Sequence, residues 1–279
     1  MTPVQAGARA MAHVEDCGDH LRVTLSNPGR RNALAPSMYV SLRDALDRAG
    51  AEDRLGAVVL TGADGYFCAG GDLNALATRA ALGRDERRAL IEDLHATIRA
   101  IRACPRPVIA AVEGGAAGAG LSIALACDLL VAAEDASFAA AYVRVGLVPD
   151  GGLTASLARR VPAGFAARMC LTGDPVSAAA LAGMGVVTDL GAPGQALACA
   201  AGLAARMAQG PATAQGTIKR LLAAARDGDF DAQLDRERDA MADALAAPEA
   251  AAGLKARLNR AAPDFGRGGS GAEKKDTRR

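Results

Sequence analysis

The 279 residues carry 32 Lys and Arg against 31 Asp and Glu, with three Tyr, five Phe and no Trp. That balance offers no net field to attract nucleic acid or a membrane surface and few rings for base stacking, so neither is an expected partner. The length suffices for a substantial core. The six cysteines, Cys17, Cys68, Cys104, Cys127, Cys170 and Cys199, are scattered without a C-x-x-C pair or a completing histidine, so no metal site is expected and the thiols read as reduced and mostly buried.

Residues 1–12 lack a clear period and are expected to be mobile. No signal-peptide core opens the chain and no apolar run approaches about 18 residues, which predicts a cytoplasmic protein. Leu21-Arg22-Val23-Thr24-Leu25 alternates as a half-buried strand and ends in the turn Asn27-Pro28-Gly29. Ser37 is placed to cap a helix whose stripe is Met38, Leu42, Leu46 and Ala49. Ala57 to Leu60 and Pro107 to Val112 are short apolar runs of the kind that form buried parallel strands. Each leads into a glycine-rich box, FCAGGDL at Phe67–Leu73 and EGGAAGAG at Glu113–Gly120. Between them Leu90, Ile91, Leu94, Ile98 and Ile101 recur at helical steps up to Cys104-Pro105.

Gly118 to Ala126 then reads as a small-residue helix, Leu129 to Ala132 as a strand, and Tyr142 to Asp150 as a segment ending in the turn Pro149-Asp150-Gly151-Gly152. Beyond Leu153 strand signals nearly vanish and alanine-rich helices are expected over Ala178–Ala182, Gln195–Gln209 and Ala212–Ala225. The composition therefore predicts an α/β core over residues 13–200, a helical region over 201–263, and a glycine-rich, charged, disordered tail over 264–279.

Backbone N–H groups from a glycine turn and a helix start can stabilise a developing oxyanion, and the two boxes are suited to supply them. Turn formation and tight packing are the other uses of such glycines. Gly120-Leu121-Ser122-Ile123-Ala124 imitates a nucleophile elbow, but His13, His20 and His95 all precede Ser122, the wrong order for that triad; the histidines read as surface or loop residues. A dinucleotide fingerprint at Gly118-Ala119-Gly120 fails because Ile123 occupies the third glycine position. A non-enzymatic scaffold is the remaining alternative.

The blocks VTLSNP and RRNAL, LTGADGYFCAGGDL, PVIAAVEGGAAGAGLSIALACDLLVAAEDASF, GLVPDGG and LTGDPVSAAALAGMGVV occur in one order between about Leu21 and Ala225. Together they resemble the crotonase superfamily, the enoyl-CoA hydratase/isomerase family. The resemblance implies an α/β fold with a core of repeated strand-strand-helix units, and a helical C-terminal region that forms a homotrimer or a dimer of trimers. It also implies an acyl-CoA thioester substrate; no separate cofactor is expected, coenzyme A being part of the substrate. The oxyanion donors would be the N–H groups of Gly71 and Ala119. Arg31, Ala33, Ala69, Asp72 and Leu73 fall where relatives contact the nucleotide part of coenzyme A, although Asp72 also suits a local backbone cap.

Ordinary hydratases of this family carry two glutamates where this chain has Ser122 and Tyr142, and neither replacement is a carboxylate. The resemblance leaves Asp150, at a position where some isomerase-like members place their acid/base group, with apolar neighbours such as Val148 expected to shelter it. Tyr142 and Ser122 are possible accessories, Tyr142 as a hydrogen-bond donor. Isomerisation or rearrangement of an unsaturated acyl-CoA is therefore expected first. Hydration with an unconventional residue set, oxepin-type ring chemistry of aromatic-acid degradation, thioester hydrolysis and a non-catalytic CoA-binding paralogue are the alternatives.

Overall fold

A computed structural model describes residues 10–226 and 228–266. Residues 1–9 and 267–279, which include most of the two ends expected to be mobile, lie outside the described residues. In chain order the strands are β1 (Met11–Asp16), β2 (His20–Ser26), β3 (Ala57–Gly62), β4 (Val108–Val112), β5 (Gly115–Ala117), β6 (Leu129–Ala133), β7 (Ser137–Ala139), β8 (Val176–Ser177) and β9 (Asp189–Gly191). The helices are α1 (Pro36–Ala51), α2 (Leu73–Arg79), α3 (Arg84–Ala103), α4 (Ala119–Ala126), α5 (Leu153–Ala158), α6 (Ala163–Thr172), α7 (Ala178–Ala182), α8 (Ala196–Ala208), α9 (Ala212–Ala225), α10 (Phe230–Leu245) and α11 (Pro248–Leu258).

The large sheet has the order β1-β2-β3-β4-β6-β9. Only the β1-β2 hairpin is antiparallel; β2 through β9 pair in parallel. A parallel interior needs cover on both faces, and the period of two along each strand supplies it. Val58, Leu60, Val108, Ala110, Val112, Leu130 and Ala132 face one core with α1 and α3. Their neighbours Ala57, Val59, Ile109, Ala111 and Val131 face a second core with α8. Ala196, Ala200, Ala204 and Ala208 recur every four residues on α8 and are buried. Small side chains let this helix lie close to the sheet, and Gly56 leaves room for the backbone of Ala208. Thus α8 crosses residue 200, the compositional boundary, while packing on the same sheet as the earlier elements.

The second sheet, β5-β7-β8, is small. It grows out of the second glycine box, since β5 is Gly115–Ala117 and pairs in parallel with β7. At α1 the cap differs from expectation. Pro36 occupies the first helical position, Ala35 is the N-cap, and Ser37 instead donates its hydroxyl to Ala10 O at 2.7 Å. Proline needs no N–H there and fixes the entry dihedral, so it displaces the serine. In α3 the buried face is Leu94, Thr97, Ile98 and Ile101, while Ile91 is exposed. Thr97 is accommodated because its hydroxyl donates to Asp93 O and accepts from Arg43. Of the cysteines, Cys68, Cys104 and Cys127 are buried, whereas Cys17 and Cys199 are exposed. No helix among the described residues is long and apolar enough to cross a membrane.

The α8 contact gives a direct test of the two-core arrangement. Ala204→Leu forces a larger side chain between helix and sheet and is expected to lower stability by about 1–3 kcal/mol. Ala198→Leu, on the exposed side of α8, is expected to stay within about 0.5 kcal/mol. Urea unfolding of both variants measures the difference.

Candidate active site

The two glycine boxes meet at the C-terminal ends of β3 and β4. Three backbone bonds join them: Phe67 N–H to Glu113 O at 3.0 Å, Cys68 N–H to Gly115 O at 3.3 Å, and Ala117 N–H to Cys68 O at 2.9 Å. Gly70 is required here, because its φ is +94° and a Cβ would lie 2.7 Å from Ala117 O and 3.2 Å from Ala119 N. Gly118, at φ +52°, turns the chain from β5 into α4. Gly120 allows α4 to sit against Cys68, whose main-chain oxygen would be 2.5 Å from a Cβ at position 120. The first box is further held from above. Ala69 N–H donates to Arg31 O at 2.9 Å and Leu34 N–H to Gly70 O at 2.8 Å.

Sequence reading missed the clamp beneath that loop. Asn32 is buried; its amide donates to Ala63 O at 2.9 Å and Tyr66 O at 2.6 Å, and its Oδ1 accepts from Asn27 N–H at 3.0 Å. Arg31 and Asn32 both have positive φ, +46° and +56°, so asparagine's tolerance of left-handed backbone was the available signal. Arg31 is exposed and its guanidinium lies 5.4 Å from the Tyr66 ring centroid. Ala33 is buried, Ala69 and Asp72 are half-buried, and Leu73 is exposed at the start of α2. Asp72 is engaged locally: it is the N-cap of α2, accepts from Asn74 N–H at 2.8 Å and Ala75 N–H at 3.3 Å, and pairs with Arg30.

Gly71 and Ala119 follow the joined segments. Among the described residues neither N–H has a hydrogen-bond partner. For Ala119 this is the expected condition of the first residue of a helix. Two preorganised donors are thereby left at adjoining loop ends.

Beside them, Ser122, Tyr142 and Asp150 form one network. Tyr142, in the 3-10 turn Ala141–Val145, donates its hydroxyl to Asp150 Oδ1 at 2.7 Å. Ser122 Oγ donates to the main-chain oxygen of Asp150 at 3.0 Å and lies 3.2 Å from Tyr142 OH. The Tyr142 ring packs beside Gly118, 3.9 Å from a Cβ built there. Burial, and then the neighbouring Asp150 charge, push the Tyr142 phenol well above its usual range. It is therefore a proton donor to a hydrogen bond, fixed in that role.

Two expectations need correction. Val148 does not shelter Asp150, being 81% exposed; the enclosing groups are instead Ser122 and Tyr142. The histidines are not all surface or loop residues. His20 is buried in β2, and His95 on α3 accepts the Gly151 N–H at Nε2, 3.2 Å away. That bond requires an unprotonated Nε2, so the proton of the neutral ring sits on Nδ1, 3.9 Å from Glu92 Oε2. The Asp150–Gly151 turn is held at its carbonyl by Ser122, at the following N–H by His95, and at the carboxylate by Tyr142. No local pattern around a single histidine announces such a contact.

Comparison with known proteins identifies the family and the fold. A family model described as Enoyl-CoA hydratase/isomerase matches residues 20–268. The 2,3-dehydroadipyl-CoA hydratase of Escherichia coli (strain K12) is 32% identical over 246 residues, 88% of this chain and 94% of the relative. The 1,2-epoxyphenylacetyl-CoA isomerase of the same organism is 32% identical over 256 residues, 91% and 97%. The crystal structure of an enoyl-CoA hydratase from Polaromonas sp. JS666 superposes with a TM-score of 0.89 at 39% identity, covering 91% of this chain and 99% of that one. With the two-sheet α/β core, its C-terminal helices and the joined glycine boxes, these matches establish that the chain has the crotonase fold and belongs to the enoyl-CoA hydratase/isomerase family of acyl-CoA enzymes.

Proposed function

We propose that this family member shifts a double bond, or otherwise rearranges an unsaturated acyl-CoA, by proton transfer through Asp150. The observation that carries the reading is the Tyr142–Asp150 hydrogen bond of 2.7 Å beside the free N–H groups of Gly71 and Ala119. In this reading the thioester oxygen accepts from both N–H groups. The Asp150 carboxylate takes a proton from one carbon of the acyl chain; the electron pair left behind delocalises into the thioester, and the oxyanion is stabilised by the donors. Asp150 then delivers a proton to a different carbon, its carboxyl exchanging with solvent in part of the turnovers. Atoms and charge balance without an oxidant, a reductant or water, and one carboxylate is enough.

Ser122 and Tyr142 stand where the family resemblance places the glutamates of ordinary hydratases. As hydroxyls they hold Asp150 and do not themselves accept a proton near neutral pH. The Escherichia coli isomerase, named for an epoxide of phenylacetyl-CoA, supports rearrangement of an unsaturated or aromatic-derived acyl group. A second reading, hydration, is favoured by the hydratase names of the other relatives. There Asp150 would activate a water. Arg31, Ala33, Ala69 and Leu73, around the first box, are proposed to contact the nucleotide part of coenzyme A, with Asp72 acting by fixing α2. Exposed Phe230, Met241 and Leu245 on α10 support assembly as a homotrimer or a dimer of trimers.

Incubation with 2-enoyl-CoA and 3-enoyl-CoA in deuterated water, followed by mass spectrometry, separates double-bond movement from hydration. Asp150→Asn is expected to slow proton exchange by about 100-fold or more. Exchange at the wild-type rate in that variant removes Asp150 from the chemistry. His95→Leu leaves the Gly151 N–H without an acceptor and is expected to lower kcat about tenfold with KM little changed. His95→Gln, which restores an acceptor oxygen, is expected to recover most of the loss. Equal losses in both variants would show that the hydrogen bond is not what matters.

A further inference from the structure

At the opposite edge of the sheet, where β4 and β6 begin, the described residues enclose a second cavity of about 280 Å³. Arg102 reaches it from the last turn of α3, Arg160 from the segment after α5, and Lys219 and Arg226 from α9. The one carboxylate on its wall is Asp128, just before β6. Asp128 is already committed: its Oδ2 accepts from Val108 N–H at 2.8 Å and pairs with Lys219 Nζ at 2.7 Å. Lys219 is equally committed, donating also to Ile101 O at 3.0 Å and Arg106 O at 3.3 Å.

Arg102, Arg160 and Arg226 are different. Among the described residues none of the three side chains has a hydrogen-bonding or carboxylate partner. Burial, followed by repulsion from Arg226 and Arg102, pulls the Arg160 guanidinium below its usual range. Arg160 is half-buried while Arg102 and Arg226 are exposed; like charges beside a half-buried guanidinium cost stability there unless an anion joins them. Basic residues near a helix C-terminus ordinarily answer the carbonyl end of that helix, and Arg102, in the last turn of α3, and Arg226, the C-cap of α9, are placed for that. Each helix end supplies only about half an elementary charge, too little to cancel three unpaired guanidinium groups.

We propose that this cavity is an anion site for a compact, multiply charged phosphate-type ligand, gripped by Arg102, Arg160 and Arg226. Guanidinium groups match phosphoryl oxygens with paired N–H donors. A single carboxylate would leave most of the positive charge unanswered. The cavity is small, and the three guanidinium groups are the charged groups on its wall still open to a ligand, which favours a compact pyrophosphate-type anion over a ligand held by its organic part. The site lies across the sheet from the glycine boxes, which follow the C-terminal ends of β3 and β4. An anion there would tie α9 to the end of α3 and to the segment after α5, clamping the start of the C-terminal helices onto the sheet.

Isothermal titration of the full chain with inorganic pyrophosphate tests this. Saturable binding is expected, weakened at least tenfold in Arg160→Gln and in Arg226→Gln, and unchanged in Arg238→Gln, whose arginine is paired with Asp235 and Asp239 on α10. Pyrophosphate should raise Tm above what sodium chloride gives at equal ionic strength, and should still bind when the acyl-CoA site is filled. Arg226 is exposed, so its variant tests the site even if Arg160→Gln folds poorly. The proposal is overturned if both variants bind pyrophosphate like the wild type, if acyl-CoA competes with it, or if adenosine diphosphate binds tighter than pyrophosphate. It is also overturned if no pyrophosphate binds; a change of oligomer mass in sedimentation for Arg226→Gln would then assign these cations to a second copy of the chain.

Discussion

The structure depends on a short backbone seam. Phe67 and Cys68, after β3, are hydrogen-bonded to Glu113, Gly115 and Ala117, after β4. These bonds join the two loops, and where the chain bends away, at Gly71 and Ala119, the N–H groups have no partner among the described residues. Because the seam is made of main chain, side-chain identity at the donors matters little, and alanine serves at position 119. What matters is close approach, and that is why Gly70 and Gly120 carry no Cβ between the loops. The sheet, the two flanking cores and α4 all act to hold this seam in place.

From the seam follows a division of labour. In the proposed reaction the main-chain donors receive charge on a thioester oxygen, while the proton is left to a single carboxylate on the next turn. Asp150 is set by neighbours that are themselves fixed: Ser122 sits on α4, immediately after the seam, and His95 projects from α3, which packs beside α4. In the proposed reaction a rigid support of this kind would hold the carboxylate to the tolerance that proton transfer between two carbons of one acyl chain needs. The replacement of two carboxylates by hydroxyls then becomes intelligible, since a serine and a tyrosine can orient one aspartate without competing with it for the proton.

The strands β3, β4 and β6 were legible as short continuous apolar runs, and β2 by its alternation. The helices α1, α3, α4, α8 and α9 were legible from periodicity or alanine content. β1 was not, because its residues are nearly all exposed and leave no apolar alternation to detect. β9 was missed because three residues, Asp189-Leu190-Gly191, join the sheet through backbone pairing with β6 alone. Within the site, Gly71, Ala119, Ser122, Tyr142 and Asp150 were named from motif order, and the structure brings Ser122, Tyr142 and Asp150 into mutual hydrogen-bonding contact. Asn32 was not named and His95 was read as a surface or loop residue, since their partners lie far along the chain and a single polar residue carries no period. Asp72 shows the opposite case: a residue noted for a ligand is already occupied as a helix cap.

The most direct measurement of the central feature is the infrared spectrum of a bound, unreactive acyl-CoA carrying ¹³C at the thioester carbonyl. If the N–H groups of Gly71 and Ala119 converge on that oxygen, they polarise the bond, and the labelled carbonyl band moves to lower wavenumber on binding than it has in water. A bound carbonyl that absorbs at or above its frequency in water would contradict the assignment of these two groups as the oxyanion donors.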